Sequence, residues 1–128
     1  MISDGNGRVL VVDDDALIRH TLAAALGDEG YAVRVAQDGR AALDTIGLWL
    51  PDVIVLDLMM PVMDGRAFRA AQRSIAATAH IPVIILSAAH EVHARAAPLE
   101  ADAVFAKPFD LTALLEAIAD LVQSAGTT

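Results

Sequence analysis

The fold of this chain is decided by Val53–Gly65, which reads VIVLDLMMPVMDG. Val53–Leu56 is a continuous apolar run rich in β-branched residues, which is typical of a strand buried on both faces of a parallel sheet. The run ends at Asp57, and Pro61 and the Asp64-Gly65 pair then indicate a loop and the start of a helix. Because burying a lone carboxylate is costly, we expect cationic groups near Asp57. Taken alone, Asp57 remains compatible with a helix cap or a solvated loop acid.

Strand and helix patterns alternate along the rest of the chain. Five strands are predicted: Arg8–Val12, Tyr31–Ala36, Val53–Leu56, Ile81–Leu86 and Ala103–Ala106. Four helices are predicted between or after them. The first begins at Ala16 and is stopped by Gly27 and Gly30, and the second runs from Asp38-Gly39 to Pro51. The third runs from Asp64 through Ile75, and the last from Asp110 to Val122. This alternation predicts an α/β protein with a doubly wound (βα)5 five-stranded parallel sheet, and five strands favour the order 2-1-3-4-5.

The spacing of apolar residues predicts which side of each helix faces the sheet. The inner faces are predicted to carry Ile18, Leu22 and Leu26 in the first helix, Leu43, Ile46 and Leu50 in the second, Phe68, Ala71 and Ile75 in the third, and Leu111, Leu114, Leu115, Ile118 and Val122 in the last. Trp49, beside Pro51, is interpreted as a partly exposed residue at a helix end.

Size and composition limit the functions open to the chain. At 128 residues, it is predicted to be a single domain over 1–128 with a core of about 8–122. The formal net charge of −8 argues against direct nucleic-acid binding, and it suits a cation or a basic partner surface as well as simple solubility. No apolar run reaches the roughly 20 residues of a membrane helix, and Met1–Gly7 does not resemble a signal peptide. The absence of Cys is compatible with the cytoplasm, where we expect the protein.

Polar residues stand at the carboxyl ends of four predicted strands. Strand 1 is followed by Asp13 and Asp14, strand 3 by Asp57, strand 4 by Ser87 and strand 5 by Lys107. In a doubly wound sheet, ligands bind beyond these ends, at the switch point between strands 1 and 3. We therefore expect all five side chains to lie at one edge of the sheet.

This set of side chains predicts a particular chemistry. Two carboxylates about 4 Å apart repel by roughly 4 kcal/mol at an effective dielectric constant of 20, so the cluster needs a cation. Oxygen ligands without His or Cys favour a hard ion, Mg²⁺ (or Mn²⁺). With such an ion, the set is suited to phosphoryl transfer: Asp57 is the nucleophile, Lys107 neutralises charge and Ser87 donates a hydrogen bond.

Four motifs carry a family resemblance over about Arg8–Val122. They are LVVDDD at 10–15, VLDLMMP at 55–61 with MDG at 63–65, IILSA at 84–88 and KPF at 107–109. Together they resemble the receiver (REC, CheY-like) domain of two-component response regulators. The resemblance implies a flavodoxin-like, CheY-like three-layer sandwich with a cis Lys107–Pro108 bond.

The resemblance also implies roles for the site residues. Asp57 is implied to be the phosphorylation site. Asp14 and Asp57 are implied to be direct Mg²⁺ ligands, Asp13 a ligand mainly through water, and Met59 a ligand through its backbone carbonyl. Ser87 and Lys107 are implied to be the catalytic residues that contact the phosphoryl group.

The chain departs from the family around the fifth strand. Ser87 and Val104 hold the two switch positions, and the family usually has Tyr or Phe where this chain has Val104. Val104 is otherwise interpreted as a core residue, with Phe105 facing the other side of the strand. Because Pro98 would break a helix, a short or distorted helix is predicted over Ala88–Leu99.

The implied function is that of a phosphoacceptor receiver in a two-component phosphorelay. A sensor histidine kinase or a histidine phosphotransfer protein would supply the phosphoryl group to Asp57. Phosphorylation would then switch the surface formed by helix 4 of the family (here Ala88–Leu99), strand 5 and helix 5 (here the last helix, from Asp110 to Val122) toward a downstream target protein or an effector domain of a longer chain. Such a domain is not an enzyme, since it catalyses only its own phosphorylation and dephosphorylation. The resemblance also implies that the positions of Met59 and Ala89 tune hydrolysis; neither residue has a polar group to hold an attacking water, so the phosphoaspartate is expected to be relatively long-lived.

Two alternatives stay open at this point. An aspartyl-phosphate phosphohydrolase would usually carry a second Asp two residues after the nucleophile, where this chain has Met59. An unphosphorylated receiver-like docking domain would be expected to have lost an acidic residue or the lysine, and none is lost. A phosphorylation-dependent homodimer also stays open.

Overall fold

The parallel sheet predicted from the alternating pattern is present. A computed structural model describes residues 6–88 and 100–125. In these residues, five parallel strands form one sheet in the order β2-β1-β3-β4-β5, which confirms the predicted fold class and topology. The strands are β1 (Arg8–Val12), β2 (Ala32–Ala36), β3 (Val53–Asp57), β4 (Val83–Ala88) and β5 (Ala103–Lys107).

The described helices begin at aspartates that cap them. The helices are α1 (Ala16–Asp28), α2 (Gly39–Ile46), α3 (Gly65–Ser74) and α4 (Leu111–Ala125). The side chains of Asp15, Asp38, Asp64 and Asp110 each accept a backbone N–H of the first turn that follows them. A cap of this kind stabilises a helix by about 1 kcal/mol. The helix predicted over Ala88–Leu99 lies outside the described residues except for Ala88, which ends β4.

Helices cover both faces of the sheet. Successive strand residues point to opposite faces, so two separate buried clusters form. One face packs against α1 and α4 through Val9, Val11, Val53, Val55, Ile84, Leu86, Leu22, Leu26, Leu114 and Ile118. The other face packs against α2 and α3 through Leu10, Val12, Ile54, Leu56, Ile85, Ala42, Ile46 and Phe68. The three-layer arrangement is therefore confirmed. Within the described ranges, every helix falls short of the length and hydrophobicity of a membrane span.

The first helix runs past the predicted stop. It continues through Gly27 to Asp28, and the amide of its C-cap residue Glu29 still bonds the carbonyl of Ala25. The chain leaves the helix at Gly30, which has a φ of +92°. The prediction that Gly27 helps to stop the helix is wrong, because a glycine in the last turn weakens a helix without breaking it.

The second helix is shorter than predicted. It ends at Ile46 rather than at Pro51, and Leu50 lies past its end with 47% of its surface exposed. Trp49 is buried rather than partly exposed. The guanidinium groups of Arg8 and Arg34 lie 5.3 and 5.0 Å from its ring centroid, because the chain turns after the helix and returns against the sheet.

The buried face of α3 is partly polar. Arg69 and Gln72 are buried beside Phe68, and Arg69 donates a hydrogen bond to the Gln72 side chain at 2.8 Å. Gln72 in turn donates to the carbonyls of Thr78 and Ile81 at 2.9 and 3.0 Å. The inward prediction for Ile75 is wrong, because α3 ends at Ser74 and leaves Ile75 half-exposed.

Candidate functional site

Three strand ends bring opposite charges together at one edge of the sheet. Asp13 follows β1, Asp57 ends β3 and Lys107 ends β5. Lys107 Nζ lies 3.0 Å from Asp13 Oδ2 and 3.5 Å from Asp57 Oδ1. The expectation that Asp57 would have cationic company is therefore confirmed. The Lys107–Pro108 bond is cis, as the family resemblance implied.

The three predicted acids form one cluster. Asp13, Asp14 and Asp57 each offer a carboxylate oxygen, and these oxygens all lie within 4.8 Å of one another. Asp13 and Asp57 are buried, whereas Asp14 is exposed. These three residues would hold a cation, and the exposed Asp14 leaves the cluster open to solvent on one side. Hard oxygen ligands with an open side suit Mg²⁺, which usually keeps several waters.

Electrostatics make the site unfavourable for three free carboxylates. Burial and then the neighbouring Asp13 raise the pKa of Asp57 to about 7, against smaller lowering effects from Lys107 and the Met59 amide. Burial alone would lower the pKa of Lys107, but its contacts with Asp13 and Asp57 outweigh burial and raise it. A divalent cation would favour the ionised form of Asp57, so the residues present fit the predicted metal.

The β1–α1 connection is held by hydrogen bonds around Asp13. The Asp15 amide donates to Asp13 Oδ1 at 2.9 Å, and Arg19 Nη1 donates to the Asp13 carbonyl at 2.8 Å. These bonds leave Asp13 Oδ2 facing Lys107. Sequence reasoning missed Arg19. The sequence carries no signal for this contact, because its acceptor is a backbone carbonyl, which every residue has.

Ser87 is buried in the fourth strand rather than just after it. Strand β4 runs two residues further than predicted, and Ser87 pairs in register with Ala106 while its neighbour Leu86 pairs with Asp57. Among the described residues, the Ser87 hydroxyl has no hydrogen-bond partner, although only 1% of the residue is exposed. An unsatisfied buried hydroxyl costs about 1–3 kcal/mol, so this group is suited to bond an incoming oxygen atom.

Met59 contacts Asp57 in the site, whereas Val104 is an exposed residue of β5. The Met59 amide donates to Asp57 Oδ1 at 3.3 Å, and 50% of the residue is exposed. Val104 is 37% exposed, so its interpretation as a core residue is wrong. The reason is the strand alternation: Phe105 packs against the core on the α4 side, and Val104 points to the opposite face at an edge strand.

The sequence of this chain matches a known protein family. The family model described as "Response regulator receiver domain" matches residues 9–119. A curated relative, response regulator MprA of Mycolicibacterium vanbaalenii, is 44% identical over 110 residues, which are 84% of this chain and 47% of the relative. MprA of Mycobacterium avium is 43% identical over the same coverage. The chain spans about half the length of these curated relatives.

Solved structures show the same fold. The signal receiver domain of a signal transduction histidine kinase from Syntrophus aciditrophicus is 29% identical, with a TM-score of 0.87 over 95% of this chain and 94% of that one. The chemotaxis response regulator CheY4 of Vibrio cholerae is 33% identical, with a TM-score of 0.82 over 89% of this chain and 97% of that one.

Proposed function

Because the chain belongs to the response regulator receiver family, we propose that it accepts a phosphoryl group on Asp57 and relays that event to a partner. The observation that carries the proposal is the contact of one lysine with two acids: Lys107 Nζ lies within 3.5 Å of Asp57 and 3.0 Å of Asp13. The Asp57 carboxylate, the Lys107 amine and the acidic cluster lie in one small site, which supports a nucleophilic role for Asp57. The donor is proposed to be a sensor histidine kinase or a histidine phosphotransfer protein.

The metal is proposed to be held by Asp14 and Asp57 directly, by Asp13 mainly through water, and by the backbone carbonyl of Met59. When bound, Mg²⁺ supplies positive charge that offsets the charge of the phosphoryl oxygens. The fit rests on the three carboxylate oxygens that lie within 4.8 Å of one another.

The residues of the chain divide the work of transfer. An oxygen of the Asp57 carboxylate forms a bond to phosphorus as the bond between phosphorus and the donor nitrogen breaks. Lys107, already beside this carboxylate, neutralises charge on the transferred group. The Ser87 hydroxyl, for which residues 6–88 and 100–125 provide no hydrogen-bond partner, donates a hydrogen bond to one of the phosphoryl oxygens. The Met59 amide keeps Asp57 Oδ1 oriented through its 3.3 Å hydrogen bond.

Signalling is proposed to follow as a population shift. The phosphoryl group adds negative charge and acceptor oxygens at Asp57, to which Ser87 on β4 and Lys107 on β5 move. These movements alter the surface near β5 and the last helix, α4. A target signals only if it binds the altered state more tightly than the resting one. The target is proposed to be a separate protein or an effector domain of a longer chain.

Acetyl phosphate tests the proposal directly. The protein is incubated with acetyl phosphate and Mg²⁺, and its intact mass is measured. One added phosphoryl group is expected in the wild-type chain and in Asp120→Asn, which changes an exposed acid of α4. None is expected in Asp57→Asn or after chelation of the metal. Modification that persists in Asp57→Asn would overturn the assignment of Asp57.

Two other functions predict different results in this experiment or in a parallel assay of phosphate release. A phosphohydrolase would release phosphate steadily from small esters, yet the side chain two residues after Asp57 is Met59, which has no acidic proton to donate. A docking domain that is never phosphorylated would gain no mass. The intact acidic cluster and its lysine favour the phosphoacceptor over both.

A further inference from the structure

The loop between β3 and α3, residues Leu58–Asp64, is pressed against the first turn of α2. The Gly39 amide, at the start of α2, donates a hydrogen bond to the Met63 carbonyl at 2.8 Å. Gly39 is buried. An ideal Cβ at Gly39 would lie 2.7 Å from both the carbonyl oxygen and Cγ of Met63. Any side chain at position 39 would therefore push the loop away from the helix.

The same loop is held at both of its ends. At its start, Leu58 is buried and its amide donates to the Leu86 carbonyl at 3.3 Å. At its far end, the Gly65 amide donates to the Leu58 carbonyl at 2.9 Å, which closes the loop. The hydrogen bond from Gly39 to Met63 attaches the last part of the loop to α2, and the side chains of Met60 and Met63 pack against the core.

The backbone between these attachments is strained. Val62 has a φ of +65°, a left-handed conformation that is a genuine outlier for a β-branched residue. Its side chain is 83% exposed, so burial of that side chain does not compensate for the conformation. Such a conformation persists only where the surrounding structure imposes it. The hydrogen bond from the Met63 amide to the Pro61 carbonyl, at 2.7 Å, closes the turn around Val62, and the Gly39 amide holds the adjacent Met63 carbonyl.

We propose that Gly39 is a positioning residue: by holding Met63, it fixes the Leu58–Asp64 loop and so the Met59 carbonyl relative to Asp57. This inference rests on the proposed function, in which that carbonyl is a metal ligand. It concerns a residue on a different helix, which contacts neither metal nor phosphoryl group in the proposed site. Residues that orient metal ligands from outside the ligand set typically affect affinity by about 10- to 100-fold.

The test is Gly39→Ala, with Gly47→Ala as a matched control. Gly47 caps the other end of the same helix, and a Cβ there would meet its nearest atoms at 3.5 and 3.6 Å, an ordinary contact distance. We expect Gly39→Ala to weaken Mg²⁺ binding by about tenfold, measured by calorimetry, while Gly47→Ala leaves it within about twofold of wild type. Urea unfolding of each variant shows that the protein measured is folded.

A second readout does not depend on metal. In the metal-free protein, the amide chemical shifts of Met59 and Met60 are expected to move in Gly39→Ala and to stay in place in Gly47→Ala. A purely structural role for Gly39 would lower stability without moving either the Met59 signal or the metal affinity. Wild-type affinity together with wild-type loop shifts in folded Gly39→Ala would overturn the proposal.

A double variant covers the case in which Gly39→Ala does not fold. Met63→Ala removes the flexible Cγ from the clash but leaves the carbonyl oxygen 2.7 Å from the new Cβ. Gly39→Ala/Met63→Ala should therefore bind Mg²⁺ about tenfold more weakly than Met63→Ala alone. Equal affinities would overturn the proposal. If wild type itself binds no Mg²⁺, the proposed metal site fails, and the amide shifts still decide whether Gly39 positions the loop.

Discussion

Lys107 Nζ lies 3.0 Å from Asp13 Oδ2, although β3 and β4 separate their strands in the sheet. The lysine side chain therefore extends over the ends of β4 and β3, and its Nζ also lies 3.5 Å from Asp57 Oδ1. One amine offsets part of the charge of two buried acids before any metal or phosphoryl group arrives.

Lys107→Ala is expected to separate phosphorylation from response. Asp57 keeps its carboxylate and the acidic cluster, so acetyl phosphate with Mg²⁺ should still add a phosphoryl group. The change that phosphorylation causes in the amide spectra of β4 and β5 should be lost, because the amine that draws β5 toward the phosphoryl group is absent. Arg66→Ala, at an exposed arginine of α3, is the matched control and should respond normally. A normal spectral response in Lys107→Ala would contradict the role given to this lysine.

Asp57→Asn is expected to stabilise the metal-free protein at alkaline pH. The pKa of Asp57 is about 7 in the folded chain, against about 3.9 when unfolded. Folding therefore favours the protonated acid, and its contribution to stability is present below pH 4 and is lost as the pH rises to 7. The loss amounts to at most about 4 kcal/mol. Urea unfolding in the presence of a chelator should show that Asp57→Asn is more stable than wild type at pH 8. The difference in the free energy of unfolding should shrink toward pH 4. A difference in the free energy of unfolding that does not change with pH would contradict the raised pKa of Asp57.

Magnesium binding is expected to depend on pH through the same carboxyl group. Below about pH 7, Mg²⁺ must displace the proton of Asp57, so its affinity should approach a tenfold fall for each pH unit. Above pH 8, the affinity should level off. Calorimetry in buffers of different ionisation enthalpy should show nearly one proton released per ion at pH 6. The exposed-acid variant Asp120→Asn should follow the wild-type curve, and a flat curve for wild type would argue against Asp57 as a ligand.

The phosphorylated state is expected to be long-lived. Met59 is half-exposed and offers no polar side-chain atom to hold a water for attack on the phosphoryl group. The second residue of this argument, Ala89, lies outside the described residues. After removal of the phosphoryl donor, loss of phosphate from the protein should take much longer than seconds. Met59→Asn should accelerate the loss, whereas Val62→Asn, at an exposed position of the same loop, should not. Loss within seconds in wild type would reject the hypothesis.

Sequence patterns were sufficient for the fold and for the membership of the acidic cluster. Buried parallel strands need uninterrupted apolar runs, and such runs stand out at Val9–Val12 and Val53–Leu56. Once those runs are strands of one parallel sheet, their carboxyl ends must meet at one edge. Asp13, Asp14 and Asp57 therefore had to come together, whatever the helices between them did.

Helix ends and buried polar contacts could not be predicted in the same way. Leu50 and Ile75 fit the helical spacing, but both lie past the end of their helix, because apolar spacing does not register where the chain turns away. Arg69 and Gln72 look like surface residues in the sequence. Their burial depends on carbonyls of Thr78, Ile81 and Glu100, which fold back on α3.

The sequence by itself determined that five parallel strands form the sheet and which of them deliver an acid, a hydroxyl and an amine to its edge, because these follow from local periodicity and from the direction of parallel strands. Only the tertiary structure decided the chemistry of those groups. The 3.0 Å approach of Lys107 to Asp13, the raised pKa of Asp57 and the fit of Gly39 against Met63 each depend on packing between segments distant in the chain. Such contacts are set by distances of a few tenths of an ångström, which residue patterns do not encode.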